Sequence, residues 1–296
     1  MKRNFQAGNS IAEGLVVLAV LIVIILVTLN DTPDSAVNPS NFSENTNSGA
    51  DVSLGVGNAS YAYQPYEEYI TIDNRGRESV DITNWRLKNG KDKRAYNLGG
   101  DLQYFPADTA TINRAAPFVS PTGFNKFQNV ILKPGENAII TTGSIGSRLP
   151  YKIVSFKENI CSGFLEDLPE YEFTPQLERN CPRPKNEPGM SALDTECRRF
   201  IENMSSCHMP EFDTIDSEGN ICRNCVDSRA LSSSCVAFIK NHFNYGSCIA
   251  NHVNDPDFSG RTWRIFLGKG WEMWAQEYET IELFDQRGRL VDYKNY

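Results

Sequence analysis

The sequence predicts a mainly β protein: an antiparallel β-sandwich interrupted by a cysteine-rich, partly helical insertion and preceded by one transmembrane helix and a flexible linker. Three observations predict it. Short segments in which apolar and polar residues alternate, separated by turn residues, occupy 61–148 and 260–296, the signature of half-buried strands. All eight cysteines lie between those segments, in 149–259. A run without charge or proline, Gly14 to Leu29, stands near the N-terminus. With 40% hydrophobic and 22% charged residues over 296 positions, the composition is that of a globular chain. The net charge of −8 repels polyanions, and the densest basic cluster, Lys91-Asp92-Lys93-Arg94, is interrupted by an acid. A nucleic-acid partner is therefore disfavoured.

The N-terminal run extends back to Ile11 and Ala12, so 11–30 reads as a single membrane-spanning helix. Lys2 and Arg3 precede it, which puts residues 1–10 in the cytoplasm and the rest of the chain outside. A cleaved signal peptide would need a small-x-small site, and Val27-Thr28-Leu29-Asn30 is not one. An uncleaved single-pass anchor is favoured. Gly8 is followed five residues later by Glu13, just before the apolar run. This spacing resembles the type IV prepilin leader, with processing after Gly8 and assembly directed by Glu13. Asn9 stands where that leader carries Phe. A carboxylate in that position costs about 2–3 kcal/mol in a bilayer, unless it snorkels to the interface. Residues 31–60 are rich in Asn, Ser, Asp, Thr, Gly and Pro and predict a flexible linker without a core.

The strands follow. Glu68 to Asp73 alternates and enters the turn Asn74-Arg75-Gly76-Arg77-Glu78; Val80 to Leu87 alternates again. Val130-Ile131-Leu132, the turn Lys133-Pro134-Gly135-Glu136 and Ala138 to Thr142 make the next pair. Thr262 to Leu267 is a further strand, and Thr280 to Asp285 with Leu290 to Tyr293 forms a closing hairpin around Gln286-Arg287-Gly288-Arg289. Three blocks carry a resemblance. EEYITIDNRGRESVDITNWRLKNG, LKPGENAIITTG and TIELFDQRGRLVDYKNY look like the opening strands, the Pro-Gly turn and the last hairpin of the lamin tail domain family. The resemblance covers roughly 60–145 and 260–296 and implies an immunoglobulin-like sandwich. The long connection departs from the compact form of that family. It resembles the cysteine-rich inserts of large secreted lamin-tail proteins from bacteria with small genomes.

A connection as long as 149–259 should have its own structure. Leu193 to Met204 and Ser232 to His242 read as short amphipathic helices. Cys161, Cys181, Cys197, Cys207, Cys222, Cys225, Cys235 and Cys248, even in number and outside the cytoplasm, read as disulfides. Sequence does not choose among their pairings. The rival reading is zinc at Cys222-Arg223-Asn224-Cys225 with Cys207-His208 upstream, but no second close pair completes such a site. His252, Asp255 and Asp257 could be drawn as an acid–base group, yet Asn-Asp-Pro is ordinary turn chemistry.

Trp85 and Trp263 read as sandwich core. Trp271, Met273 and Trp274 in Trp271-Glu272-Met273-Trp274 form a candidate binding surface if exposed. Burial, sealing the joint between sandwich and insertion, is the favoured reading. No nucleophile elbow, phosphate loop, His-Glu-x-x-His or EF-hand motif occurs, and no cofactor is expected. The function these features suggest is a non-enzymatic binding or adhesion module of the cell envelope, with an extracellular protein or polysaccharide as partner. A pilin-like component processed after Gly8 is the alternative, and an extracellular hydrolase with its site in the insertion ranks third.

Overall fold

Turn chemistry cuts the alternating segments into short strands. The computed structural model describes residues 51–146, 149–214, 221–222 and 224–296, all within one unit, Asn45–Tyr296. The predicted span at 11–30, with Gly8 and Glu13, lies outside the described residues, as does most of the linker. Among the described residues no helix is long and apolar enough to cross a membrane.

The strands are β1 (Val52–Gly55), β2 (Tyr69–Asn74), β3 (Val80–Asp81), β4 (Arg86–Asn89), β5 (Tyr96–Leu98), β6 (Asp101–Gln103), β7 (Thr109–Thr111), β8 (Ile131–Leu132), β9 (Asn137–Thr141) and β10 (Phe156–Asn159). The two-residue β11 (Cys225–Val226) and β12 (Arg229–Ala230) follow, then β13 (Ser259–Phe266), β14 (Thr280–Phe284) and β15 (Leu290–Asn295). A five-stranded sheet runs β1-β2-β9-β13-β10 and a four-stranded sheet runs β15-β14-β4-β7. Side chains of both sheets share one core. Leu54, Ile70, Ile72, Ile140 and Ile265 from the first meet Leu87, Ile281 and Leu283 from the second, with Trp85 and Trp263 buried among them. This is the packing of a β-sandwich, in which each strand buries alternate residues. Asn84, at φ 63°, splits the segment expected to run unbroken from Val80 to Leu87 into β3 and β4. Gly135 at φ 74° and Gly288 at φ 77° take the left-handed backbone that their turns require.

Three expectations need correction. The expected linker covers 31–60, but Val52–Gly55 is β1, paired in register with β2 from Val52↔Asn74 to Gly55↔Thr71. Val52 and Leu54 point into the core, and two apolar residues amid glycine and asparagine were too few to show as periodicity. The expected insertion covers 149–259, but Phe156–Asn159 is β10, hydrogen-bonded to β13. It is buried at every position, and its Lys157 and Glu158 concealed it, because charged residues read as exposed until their partners are known. The sheet is also not wholly antiparallel. β9 and β13 run parallel, from Thr262↔Asn137 to Phe266↔Thr141, which needs a long crossover, and the inserted chain supplies one.

The insertion has its own core. Helices α1 (Gly163–Glu166), α2 (Thr195–Glu202), α3 (Ser233–His242) and α4 (Tyr245–His252) bury Phe164, Leu165, Phe200, Ile201, Val236, Ile239 and Ile249 together with six of the eight cysteines. The α2 and α3 boundaries follow the expected helices closely. Their N-caps are Asp194, which accepts from the Cys197 backbone at 2.8 Å, and Ser232, which accepts from that of Cys235 at 3.3 Å. The Ser232 hydroxyl also donates to Asp194 at 2.7 Å, so the two capping side chains are bonded to each other. Phe156, Ala116 and Val119 from the sandwich side enter the same cluster, which makes the insertion continuous with the β10 edge. Below that edge Arg264 of β13 pairs with buried Glu158, and its guanidinium donates to the carbonyls of Pro175 at 2.6 Å and Gln176 at 2.7 Å. One arginine thus holds the insertion's chain against the sheet.

Candidate functional site

Four disulfides use all eight cysteines: Cys161–Cys248, Cys181–Cys207, Cys197–Cys235 and Cys222–Cys225. None is left free, so no thiolate remains for zinc. The Cys197–Cys235 bond ties the first turns of α2 and α3 at the point where their caps meet, and Cys161–Cys248 ties the start of the insertion to α4. Loops of 87, 26 and 38 residues are closed by the first three bonds. In the chain-entropy limit each removes about 3.5–4.6 kcal/mol of unfolded-state freedom.

The histidines are held by carboxylates. His252 Nδ1 lies 2.7 Å from Asp255, and Nε2 lies 3.3 Å from Glu187, which is buried. Asp257 is not among its hydrogen-bond partners, so the drawn group becomes His252, Asp255 and Glu187. Burial opposes the charged ring, but the hydrogen bond to Asp255 and the nearby Glu187 outweigh it and raise the His252 pKa above the ordinary value. With both ring nitrogens engaged, His252 clamps α4 to the chain at 187 and has no nitrogen free to take a substrate proton. His208 Nε2 sits 2.9 Å from Asp227 in an open cleft of about 510 Å³ lined by Phe200, Met204 and Arg229. Among the described residues no group of three His, Cys, Asp or Glu side chains could hold a metal ion.

The site with the most constructed geometry is at one end of the sandwich. Two loops meet there: 56–68, between β1 and β2, and 267–279, between β13 and β14. Glu68 is fully buried and accepts from the backbone N–H of Met273 at 2.7 Å and Trp274 at 3.1 Å. Burial pushes its carboxyl pKa up, against the pull of those hydrogen bonds. Asn89 donates to the Met273 carbonyl at 2.6 Å. Buried Glu279 accepts from the N–H of Ala275 at 2.9 Å and of Gly90 at 2.9 Å. Gln276 reaches the other loop, donating to the Ala62 carbonyl at 3.3 Å. Asn58 braces that loop internally, accepting from the Tyr69 N–H and donating to the Glu67 carbonyl, both at 2.9 Å.

These anchors divide the expected Trp-Glu-Met-Trp surface. Met273 and Trp274 are 2% and 3% exposed and belong to the sandwich core, which removes them from any binding surface. They seal the sandwich itself rather than its joint with the insertion. Trp271 is 53% exposed, with the Lys269 ammonium 5.4 Å from its ring centre. Sequence reasoning missed the other exposed aromatics of the two loops. Tyr61 at 71%, Tyr63 at 74% and Tyr278 at 83% exposure project from the same two loops. Tyr278 has φ 56°, a backbone that bulky side chains rarely adopt. A signal is present in Tyr61-Ala62-Tyr63, but 61–63 adjoins the expected linker. No protein-family model matches this chain, and no curated protein matches it.

Proposed function

We propose that the chain is a membrane-anchored, extracytoplasmic binding or adhesion module of the cell envelope, built on a lamin-tail-like, immunoglobulin-like sandwich. The observation that carries the reading is the pairing of all eight cysteines inside an insertion docked on the sandwich. Such pairing persists in an oxidising compartment. The apolar run at 11–30 behind Lys2 and Arg3 supports attachment with the N-terminus inside. The β-sandwich supports the lamin-tail resemblance at the level of architecture, and fold leaves the ligand open. The exposed aromatic end supports a binding role, because tyrosine and tryptophan are the residue types enriched at binding hot spots.

The test is protease shaving of intact cells, with mass analysis of the chain before and after reduction. Release of 51–296 fragments carrying four disulfides is expected, leaving a membrane-retained stub from the first residue. Complete protection from external protease, or reduced cysteines in freshly lysed cells, would overturn the reading. A stub beginning at Asn9 would replace the plain anchor by the processed, filament-forming alternative that Gly8 and Glu13 suggest.

A further inference from the structure

We infer that the loop end carrying Tyr61, Tyr63, Trp271 and Tyr278 binds a neutral polysaccharide; the inference rests on the binding-module reading and names its partner's chemistry. The exposed large apolar residues of the two loops are these four aromatics, with no exposed aliphatic among them. Tyrosine and tryptophan rings offer flat faces to the C–H faces of pyranose units and keep a polar edge for hydroxyls. Exposed Gln64, Gln276 and Glu277 stand beside the rings as hydrogen-bonding groups for a polyol. The charge argues for a neutral chain. The accessible charges of the loops are Glu67, Glu272 and Glu277 against the single base Lys269, which repels phosphate- and carboxylate-bearing polymers.

The platform is also preorganised. Loop 267–279 is fixed from below by Glu68, Glu279 and Asn89, and Gln276 links it to the backbone between Tyr61 and Tyr63. Lys269 donates to the Thr109 carbonyl at 2.8 Å, so its ammonium steadies the Trp271 ring from a fixed point. Ordering cost on binding is low for such loops. Tyr278 adds the sharpest sign. Its left-handed backbone is strained for a tyrosine, and its ring is the most exposed of the four, so packing does not offset the strain. A strained residue held for its exposed side chain marks a functional position.

The experiment uses the full-length, detergent-solubilised chain and two insoluble neutral polysaccharides, chitin and cellulose, with isolated cell envelopes in parallel. Retention on at least one of the two polymers is expected, unchanged by added salt, because stacking carries no screened charge. Tyr61→Ser and Trp271→Ala should each weaken retention about tenfold. Tyr278→Gly should weaken it similarly while raising the unfolding midpoint, since glycine relieves the left-handed strain. That opposite pair of shifts separates lost binding from lost folding. No retention on either polymer, retention that falls steeply with salt, or full retention by the folded Tyr278→Gly variant would each overturn the inference. Envelope binding that survives periodate but not protease treatment also overturns it, yet leaves the module reading standing with a protein partner. Failure to bind envelopes at all removes both.

Discussion

His252 shows how one side chain's environment decides its role. Beside Asp255 in a turn it looks like half of an acid–base pair, but Glu187, distant in sequence, takes the second nitrogen and turns the group into a clamp. Its pKa is raised from the ordinary 6.5, so its contribution to stability is complete below that value and is lost as pH rises through the folded-state pKa. Comparison of the chain with its His252→Gln variant by urea denaturation from pH 5.5 to 8.5 should show the wild-type advantage greatest at the acid end and shrinking as pH rises. A constant difference across the range would exclude the ion-paired clamp. Glu68 makes the complementary case: a carboxylate with no exposed surface is spent on two backbone N–H groups, so its burial is a structural investment in the loop above it.

Among elements, β10 is the one whose placement rests most on charge. Its Lys157 meets Glu136 at 2.7 Å with both side chains nearly buried and lies 5.4 Å from the Trp263 ring centre. Its Glu158 meets Arg264. Breaking a buried pair by removing one partner is strongly unfavourable, because the other charge stays behind without water. Arg264→Met should destabilise the oxidised chain by about 3–5 kcal/mol. Adding Glu158→Leu should restore part of that loss, but not all, because the Pro175 and Gln176 carbonyls still lose their donor. Chemical denaturation of the two variants checks both halves. An Arg264→Met variant of wild-type stability would mean that the insertion is held without this latch.

Across the whole molecule, two cores are stabilised by different means. The sandwich core holds side chains of the strands and of the loops between them, and no cysteine. The insertion's core includes Cys161, Cys181, Cys197, Cys207, Cys235 and Cys248, so three of its disulfides run through its interior. Reduction should therefore loosen the insertion first. Limited proteolysis under reductant, followed by mass analysis, is expected to cut within 160–258 before 69–142. Simultaneous loss of both regions would show that the sandwich depends on the insertion for its own cooperativity. Much of this organisation was legible in order and kind: the strands at Tyr69–Asn74, Asn137–Thr141 and Thr280–Phe284, the closing hairpin, and the helices near 195–202 and 233–242 all follow from period and turn chemistry. β1, β5 to β7, β10 to β12, α1 and α4 have no counterpart among the expected elements: β1, β10 and α4 take their burial from partners far along the chain, and the others are only two to four residues long.

By itself, the sequence determined the local alternation of the strands, their turns, the clustering of cysteines in one stretch and the acidic balance of the surface. These are properties of neighbours within a few residues, where backbone geometry and side-chain period act directly. Only the tertiary structure decided which cysteines pair, that β9 and β13 run parallel, that Met273 and Trp274 are core, and that Tyr61, Tyr63, Trp271 and Tyr278 share one end. Apart from the Cys222–Cys225 bond, each of these depends on contacts between segments 26 to 214 residues apart, whose closure local propensity does not encode. The candidate site belongs to that second group. Its aromatics are separated in the chain, and the two loops that carry them are brought together by Glu68 and Gln276.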